Sequence, residues 1–122
     1  VPSDSEKCPT DVFITIEKAE CSLSGRTLNL TITNRGLFNI TATFIRVGPV
    51  DKSVKVQINP SNETLLRPLS PGRSDTYLNL KIPSAITITQ TSNEVEVQPA
   101  VVINKFLVPC ESAIASQTFE CN

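Results

Sequence analysis

Arg26-Thr27-Leu28-Asn29-Leu30-Thr31-Ile32-Thr33 alternates without a break, with Leu28, Leu30 and Ile32 on one side and Thr27, Asn29, Thr31 and Thr33 on the other. Successive side chains of extended backbone point to opposite sides, so a period of two marks a strand with one buried and one solvated face. The β-branched Thr and Ile suit that conformation. The pattern continues outward in both directions. Asp11–Lys18 sets Val12, Ile14 and Ile16 against Phe13, Thr15 and Glu17. Ser74–Ile82 puts Thr76, Leu78, Leu80 and Ile82 on the expected inner face. Glu94–Asn104 turns Val95, Val97, Val101 and Ile103 inward and Glu94, Glu96 and Gln98 outward.

Two stretches break the simple alternation. In Leu37–Val47 the residues Phe38, Ile40, Ala42 and Phe44 share one face while Ile45 and Val47 fall on the other, which calls for a bulge or twist near Phe44. Pro99 lacks an N–H and demands a bulge or an edge position. Ser53–Ile58 reads as a weak strand, Phe106–Val108 as the approach to Cys110, Ile114–Glu120 as the last strand, and Ala85–Thr91 as either a short strand or a β-rich crossover. Turns punctuate the series at Ser22–Gly25, at Asn34-Arg35-Gly36 (where Gly36 is expected at positive φ), at Gly48-Pro49, in the loop Asn59–Pro68 and at Leu69-Ser70-Pro71-Gly72. No segment carries a helical period. About seven short strands spaced by turns predict an all-β chain: an immunoglobulin-like antiparallel β-sandwich over residues 8–122, preceded by a polar tail or arm at residues 1–7.

Composition narrows the function. The chain has 122 residues, one domain's worth, with nine prolines, one tyrosine, no tryptophan and no histidine. Net charge is −1. Lys52, Lys55, Arg67 and Arg73 are too dispersed for the basic stripe that nucleic acid requires. No apolar run approaches the roughly 20 residues of a membrane span. The chain begins at Val1 and holds no methionine, so the expectation upstream is a removed signal peptide, a removed pilin-type leader with its helix, or an artificially trimmed boundary.

Two turn motifs carry a resemblance. Thr31–Gly36 (Thr-x-Thr-Asn-x-Gly) closes one strand, and Leu69–Ser74 (Leu-x-Pro-Gly-x-Ser) opens another. In this the chain resembles the CARDB-type immunoglobulin-like domains of bacterial and archaeal surface proteins. Gly36–Arg46, Glu94–Ala100 and the terminal Cys…Gln-x-x-x-Cys are similar to the globular β-domains of archaeal pilin- and archaellin-like subunits. The resemblance implies an extracellular immunoglobulin-like module without catalytic residues. The apolar N-terminal helix on which such pilins polymerise does not occur in these residues.

The four cysteines form two outer pairs, Cys8 with Cys21 near the start and Cys110 with Cys121 at the end. A strand over Asp11–Lys18 covers more than ~20 Å, so the few remaining residues cannot bring Cys8 and Cys21 to the roughly 5.5–6 Å that a disulfide spans. The same arithmetic hinders Cys110 with Cys121. Bonds between the first and last strands remain. Seven alternating strands run the two ends the same way, which favours Cys8–Cys110 and Cys21–Cys121; an eighth strand at Ala85–Thr91 reverses the parity to Cys8–Cys121 and Cys21–Cys110. Each bond closes a loop for which chain entropy predicts roughly 4.7 kcal/mol. An even cysteine count at the chain extremes, with no histidine and no Cys-x-x-Cys, points to an oxidising compartment and away from zinc.

Asn29-Leu30-Thr31, Asn39-Ile40-Thr41 and Asn62-Glu63-Thr64 are glycosylation sequons, whereas Pro60 disables Asn59-Pro60-Ser61. Glu94 and Glu96 share a strand face as a carboxylate pair, but acid–base chemistry also needs an environment that splits their pKa values and a cleft for a substrate. Serine has no histidine to activate it and no Gly-x-Ser-x-Gly turn. Asp51 and Glu63 are loop carboxylates without the spacing of a calcium loop. The expectation is a non-enzymatic, cofactor-free, extracellular structural subunit of a surface assembly, pilus- or filament-like, disulfide-clamped and N-glycosylated. Its partners are expected to be copies of itself, joined by strand addition through residues 1–7 or by head-to-tail packing, or other surface proteins. The alternative is an adhesin- or receptor-type domain binding a protein or carbohydrate through Val50–Pro68, a loop that lacks aromatic residues.

Overall fold

Alternating Leu, Ile and Val side chains need a second apolar layer to bury them, and the chain provides it by folding into two facing antiparallel sheets. The computed structural model describes residues 8–51, 55–58 and 64–122, with 64–67 followed as backbone only. Among them are nine strands: β1 (Ile14–Ser22), β2 (Thr27–Asn34), β3 (Ile40–Pro49), β4 (Val56–Gln57), β5 (Thr64–Leu69), β6 (Ser74–Lys81), β7 (Asn93–Ile103), β8 (Phe106–Pro109) and β9 (Ala115–Phe119). One sheet has the order β1-β2-β6; the other runs β4-β3-β7-β8, with β5 also on β3 and β9 also on β7. First, second and fifth long strands thus face third, sixth and last, the immunoglobulin-like arrangement. The count exceeds seven because β4 is a two-residue addition and the last strand is broken into β8 and β9.

The core sits between the sheets. Leu28, Leu30 and Ile32 of β2 are completely buried, opposite Ile45 and Val47 of β3 and Val95 and Val97 of β7. Each such side chain contributes about 1.5–3 kcal/mol by leaving water. Ile86 and Ile88 plug one end of the sandwich from the irregular 82–92 crossover, which forms no strand. That crossover is held by Arg26, whose guanidinium donates to the carbonyls of Ile82, Pro83 and Ile86 at 3.2, 2.6 and 2.6 Å.

Bulges shift several facings away from the sequence reading. In β1 the register with β2 slips between Ile16 and Lys18, so inward positions change from Val12 and Ile14 to Cys21, and the strand runs on to Ser22. In β6, Leu78 and Asn79 together oppose the single residue Asn29; Asn79 has φ 57° and donates its N–H to Asn29 Oδ1 at 2.8 Å. The expected inner face of β6 is corrected accordingly. Thr76 and Leu78 are exposed, Leu78 by 69 %, while Tyr77 leans inward and shares a hydrogen bond with the buried Thr43 of the opposite sheet. In β3 the irregularity lies between Ile40 and Ala42, against β5, rather than near Phe44. The expected Asn59–Pro68 loop contains β5, with Pro68 in a strand at the sheet margin. Gly48 and Pro49 continue β3, opposite Glu94 and Asn93, instead of ending it.

Pro99 occupies neither a bulge nor an edge. It stays in register with Thr43 in the middle of its sheet, and the neighbouring strand gives way instead. β8 pairs with Ala100–Ile103 and β9 with Asn93–Val97, while 110–114, including a 3₁₀ turn at Glu111–Ala113, loop out opposite Pro99. Only its carbonyl is used on that side, accepting the Cys110 N–H at 2.8 Å. A missing donor therefore coincides with a missing partner.

The two turn motifs meet at one buried residue. Asn34 has no exposed surface; its Nδ2 donates to the carbonyls of Phe38 and Leu69 at 2.8 and 2.7 Å, and its Oδ1 accepts from Gly36 N at 3.0 Å. Its backbone N–H donates to Arg73 O, and its carbonyl accepts from Gly72 N. Gly72, at φ 84°, follows Pro71 in a turn closed by Arg73 N to Ser70 O at 3.0 Å, the geometry of a type II turn. Gly36, by contrast, is not at positive φ. A Cβ there would lie 2.2 Å from Asp11 O and 2.7 Å from Phe13 N, so glycine serves close approach to the start of β1. Arg35 N and Leu37 N bond to Phe13 O and Asp11 O across that contact, both at 2.9 Å.

Gly36→Ala should cost about 1–3 kcal/mol, because its methyl group meets backbone that cannot turn aside. Asn34→Ala should cost about 3 kcal/mol or more by leaving buried carbonyls unpaired. Urea unfolding of both variants checks this, and a change below about 0.5 kcal/mol at Gly36 contradicts the contact.

Candidate functional site: the disulfide-bounded edge

Cys8 is bonded to Cys110 and Cys21 to Cys121, across sequence separations of 102 and 100. Cys21 lies near the end of β1 and Cys121 just beyond β9; Cys8 precedes β1 and Cys110 sits in the break between β8 and β9. Both bonds therefore join the first strand of one sheet to the last strand of the other, along a single edge of the sandwich. At the Cys21 end the two chains run parallel, with Leu23 N donating to Asn122 O at 2.8 Å and Asn122 N to Cys21 O at 3.2 Å. Cys110, Cys21 and Cys121 are buried and belong to the core.

Between these two fastenings the edges of β1 and β9 face one another. Apart from the Cys21–Cys121 bridge, β1 pairs with β2 and β9 with β7 among the described residues. A groove of about 330 Å³ runs between them, lined by Phe13–Ile16 on one side and by 112–117 on the other. Phe13 and Ile14 meet Ile114 and Ala115 there, with Thr15 and Gln117 supplying polar groups. A second, shallower hollow of about 500 Å³ lies beyond the Cys21–Cys121 bond, against Glu20, Gln90, Glu120 and Asn122.

Asn93 braces that end as Asn34 braces the other. It is completely buried, accepts Thr89 N at Oδ1 at 2.8 Å, and directs Nδ2 toward Thr89 O, Phe119 O and Cys121 Sγ at 2.7, 3.3 and 3.6 Å. Sequence reading treated Asn34 as a turn residue and passed over Asn93. The available signal was an amide residue at each point where an apolar strand meets a turn.

The other residues singled out from sequence scatter. Glu94 and Glu96 do not form a carboxylate pair; each meets a base instead, Glu94 with Lys55 at 2.9 Å and Glu96 with Arg46 at 3.8 Å. Arg46 also donates to Gln98 Oε1. Acid and base are thus interleaved along β3 and β7. Among the described residues no group of three or more Cys, Asp or Glu could hold a metal ion, and no helix is long and apolar enough to cross a membrane. Asn29 sits in the central strand of its sheet and Asn39 in the exposed approach to β3. Asn62, Glu63, Lys52, the arm at residues 1–7 and, in the Val50–Pro68 loop, residues 52–54 and 59–63 lie outside the described residues.

On the outer face of the β1-β2-β6 sheet, Arg35 donates to Glu17 and, at 3.1 Å, to Thr15 Oγ1. The Arg35 hydrogen bond, reinforced by Thr15 and Thr33, holds the Glu17 carboxyl below the usual glutamate range. Thr31 with Thr76 and Thr33 with Ser74 form hydroxyl pairs across β2 and β6 at 3.0 and 2.7 Å.

No protein-family profile matches the chain. No curated protein is significantly similar to it.

Removing Cys8–Cys110 or Cys21–Cys121 by paired Cys→Ala substitution should cost about 2–5 kcal/mol each. Removing both should cost less than the sum, because the two loops share most of their length; denaturant unfolding of the three variants under one set of conditions measures this. The depressed Glu17 pKa makes its ion pair fully stabilising above the ordinary glutamate range, and that contribution is lost as pH falls through the lower native value. Arg35→Gln should move the Glu17 titration upward toward the ordinary value in an NMR pH series. An unmoved titration would show that the guanidinium is not its cause.

Proposed function

We propose that this chain is a structural module of an extracellular, cell-surface assembly, in which copies join by adding a strand to the β1–β9 edge. The supporting observation is the edge itself: two strand margins facing each other across a groove of mixed polar and apolar lining, with a disulfide toward either end. Unpaired N–H and C=O groups on a sheet margin accept an incoming strand, and side-chain depressions alongside select it. Two disulfides form and persist in oxidising compartments, which supports an extracellular setting.

The incoming strand is residues 1–7 of a neighbouring copy. Extended, seven residues reach about 23 Å, the length of a strand of ordinary size. Strand donation of this kind is head-to-tail, so it extends into a fibre unless geometry closes it. The turn motifs meeting at Asn34 resemble those of CARDB-type domains, and a surface role agrees with that resemblance. The carboxylates give no support to an enzymatic reading, since Glu94 and Glu96 are each spent on a base.

Sedimentation of the full chain over a rising concentration series, beside a chain lacking residues 1–7, tests this. The full chain should form oligomers, and filaments by electron microscopy; the shortened chain should stay monomeric. Monomers from both at high concentration would sink the proposal.

A further inference from the structure

The three sequons are not equivalent once folded. Asn29-Leu30-Thr31 lies in β2, flanked on both sides by paired strands. Its acceptor amide is occupied, since Asn29 Oδ1 takes the Asn79 N–H that closes the β6 bulge at 2.8 Å. The Thr31 hydroxyl is also occupied, 3.0 Å from that of Thr76. Leu30 between them is completely buried. A glycan on Asn29 would have to rise from the middle of a sheet and give up the bulge contact beneath it.

Asn39-Ile40-Thr41 stands differently. Asn39 is exposed at the entry to β3, in the connection from one sheet to the other, and its side chain makes no hydrogen bond among the described residues. Its fixed neighbour is Ile40, completely buried, which anchors the sequon while leaving the amide in solvent. Just before it come Leu37 and Phe38, exposed by 74 % and 42 %. Two large apolar side chains side by side in solvent gain from any cover over them.

We propose that Asn39, and not Asn29, is a site of N-linked glycosylation in this chain, with the first sugars lying over Leu37 and Phe38. The inference rests on the reading of the chain as exported. The donor is an oligosaccharide carried on a lipid-linked phosphate or pyrophosphate. Asn39 Nδ2 attacks the anomeric carbon, the new N–C bond forms as the C–O bond to phosphate breaks, the lipid phosphate leaves with that electron pair, and a base on the transferase takes one amide proton. The Thr41 hydroxyl is the recognition element that the sequon requires. Pyranose C–H faces pack on aromatic rings, so Phe38 supplies a platform that Asn29 lacks.

The test is secretion of the full chain, carrying Asn62→Gln so that two sequons remain, from a eukaryotic cell line that performs N-glycosylation. Enzymatic deglycosylation in heavy-oxygen water labels each occupied asparagine as aspartate, and trypsin separates the sequons into peptides 27–35 and 36–46. The label should appear in 36–46 and be absent from 27–35, and Asn39→Gln should abolish the glycan mass shift of the intact protein. Label in 27–35, or an unmodified 36–46 peptide from material with both disulfides formed, overturns the assignment. Free thiols in the same secreted material would instead overturn the export reading and the site with it.

Discussion

The first and last strands of this chain belong to different sheets, and two covalent bonds hold them to one another. Everything else in the sandwich is arranged around that seam. Sheet-on-sheet packing by itself leaves an edge where the layers meet only through side chains, and here that edge is closed at Cys8–Cys110 and Cys21–Cys121. Tying the ends together removes much of the unfolded chain's freedom. That matters in a chain with one tyrosine and no tryptophan, whose core rests on Ile, Val and Leu. The same seam creates the groove, because it brings two strand margins face to face without letting them pair along their whole length.

Where the chain passes between sheets, polar groups must enter the interior, and two asparagines handle most of that traffic. Asn34 stands where β2 leaves for β3 and where β5 gives way to β6; Asn93 stands where the 82–92 crossover enters β7 beside the end of β9. Each provides two donors and an acceptor to backbone that would otherwise be buried unpaired. No described buried side-chain nitrogen or oxygen lacks a partner. The cross-sheet hydroxyl pair of Thr43 and Tyr77 adds one fixed register point inside the apolar layer. Such contacts specify which residues face each other, a task that interchangeable aliphatic side chains do poorly.

Most of the architecture was legible because a period of two survives wherever a strand is regular. Leu28, Leu30, Ile32, Val95 and Val97 all read correctly from alternation alone. The errors fall at bulges. Nothing in Thr76-Tyr77-Leu78-Asn79 announces that Asn79 will adopt positive φ and reverse the facing of its neighbours, although Asn tolerates that conformation better than most residues. Gly36 was legible as a special glycine but for the wrong reason: its constraint is contact with β1, which no local pattern can reveal. Pro99 was legible as a problem, and the solution was adopted by a strand far along the chain. Of the candidate site, the cysteines were visible as letters, whereas the groove depends on how two strands diverge between two bonds, a property of three-dimensional placement.

The placement of the bonds also decides how the domain carries tension. A pull between residue 8 and residue 121 passes through the Cys8–Cys110 bond and then along the 110–121 segment, eleven residue-to-residue steps in all. Fully drawn out, that path reaches about 36–40 Å, and the Cys21–Cys121 bond shunts the same load through β1. The buried residues of β2, β3 and β7, the bulk of the hydrophobic layer, lie off this line. Under strain at its two ends the module therefore behaves as a short link of nearly fixed length, with sulfur–sulfur bonds rather than sheet packing bearing the force.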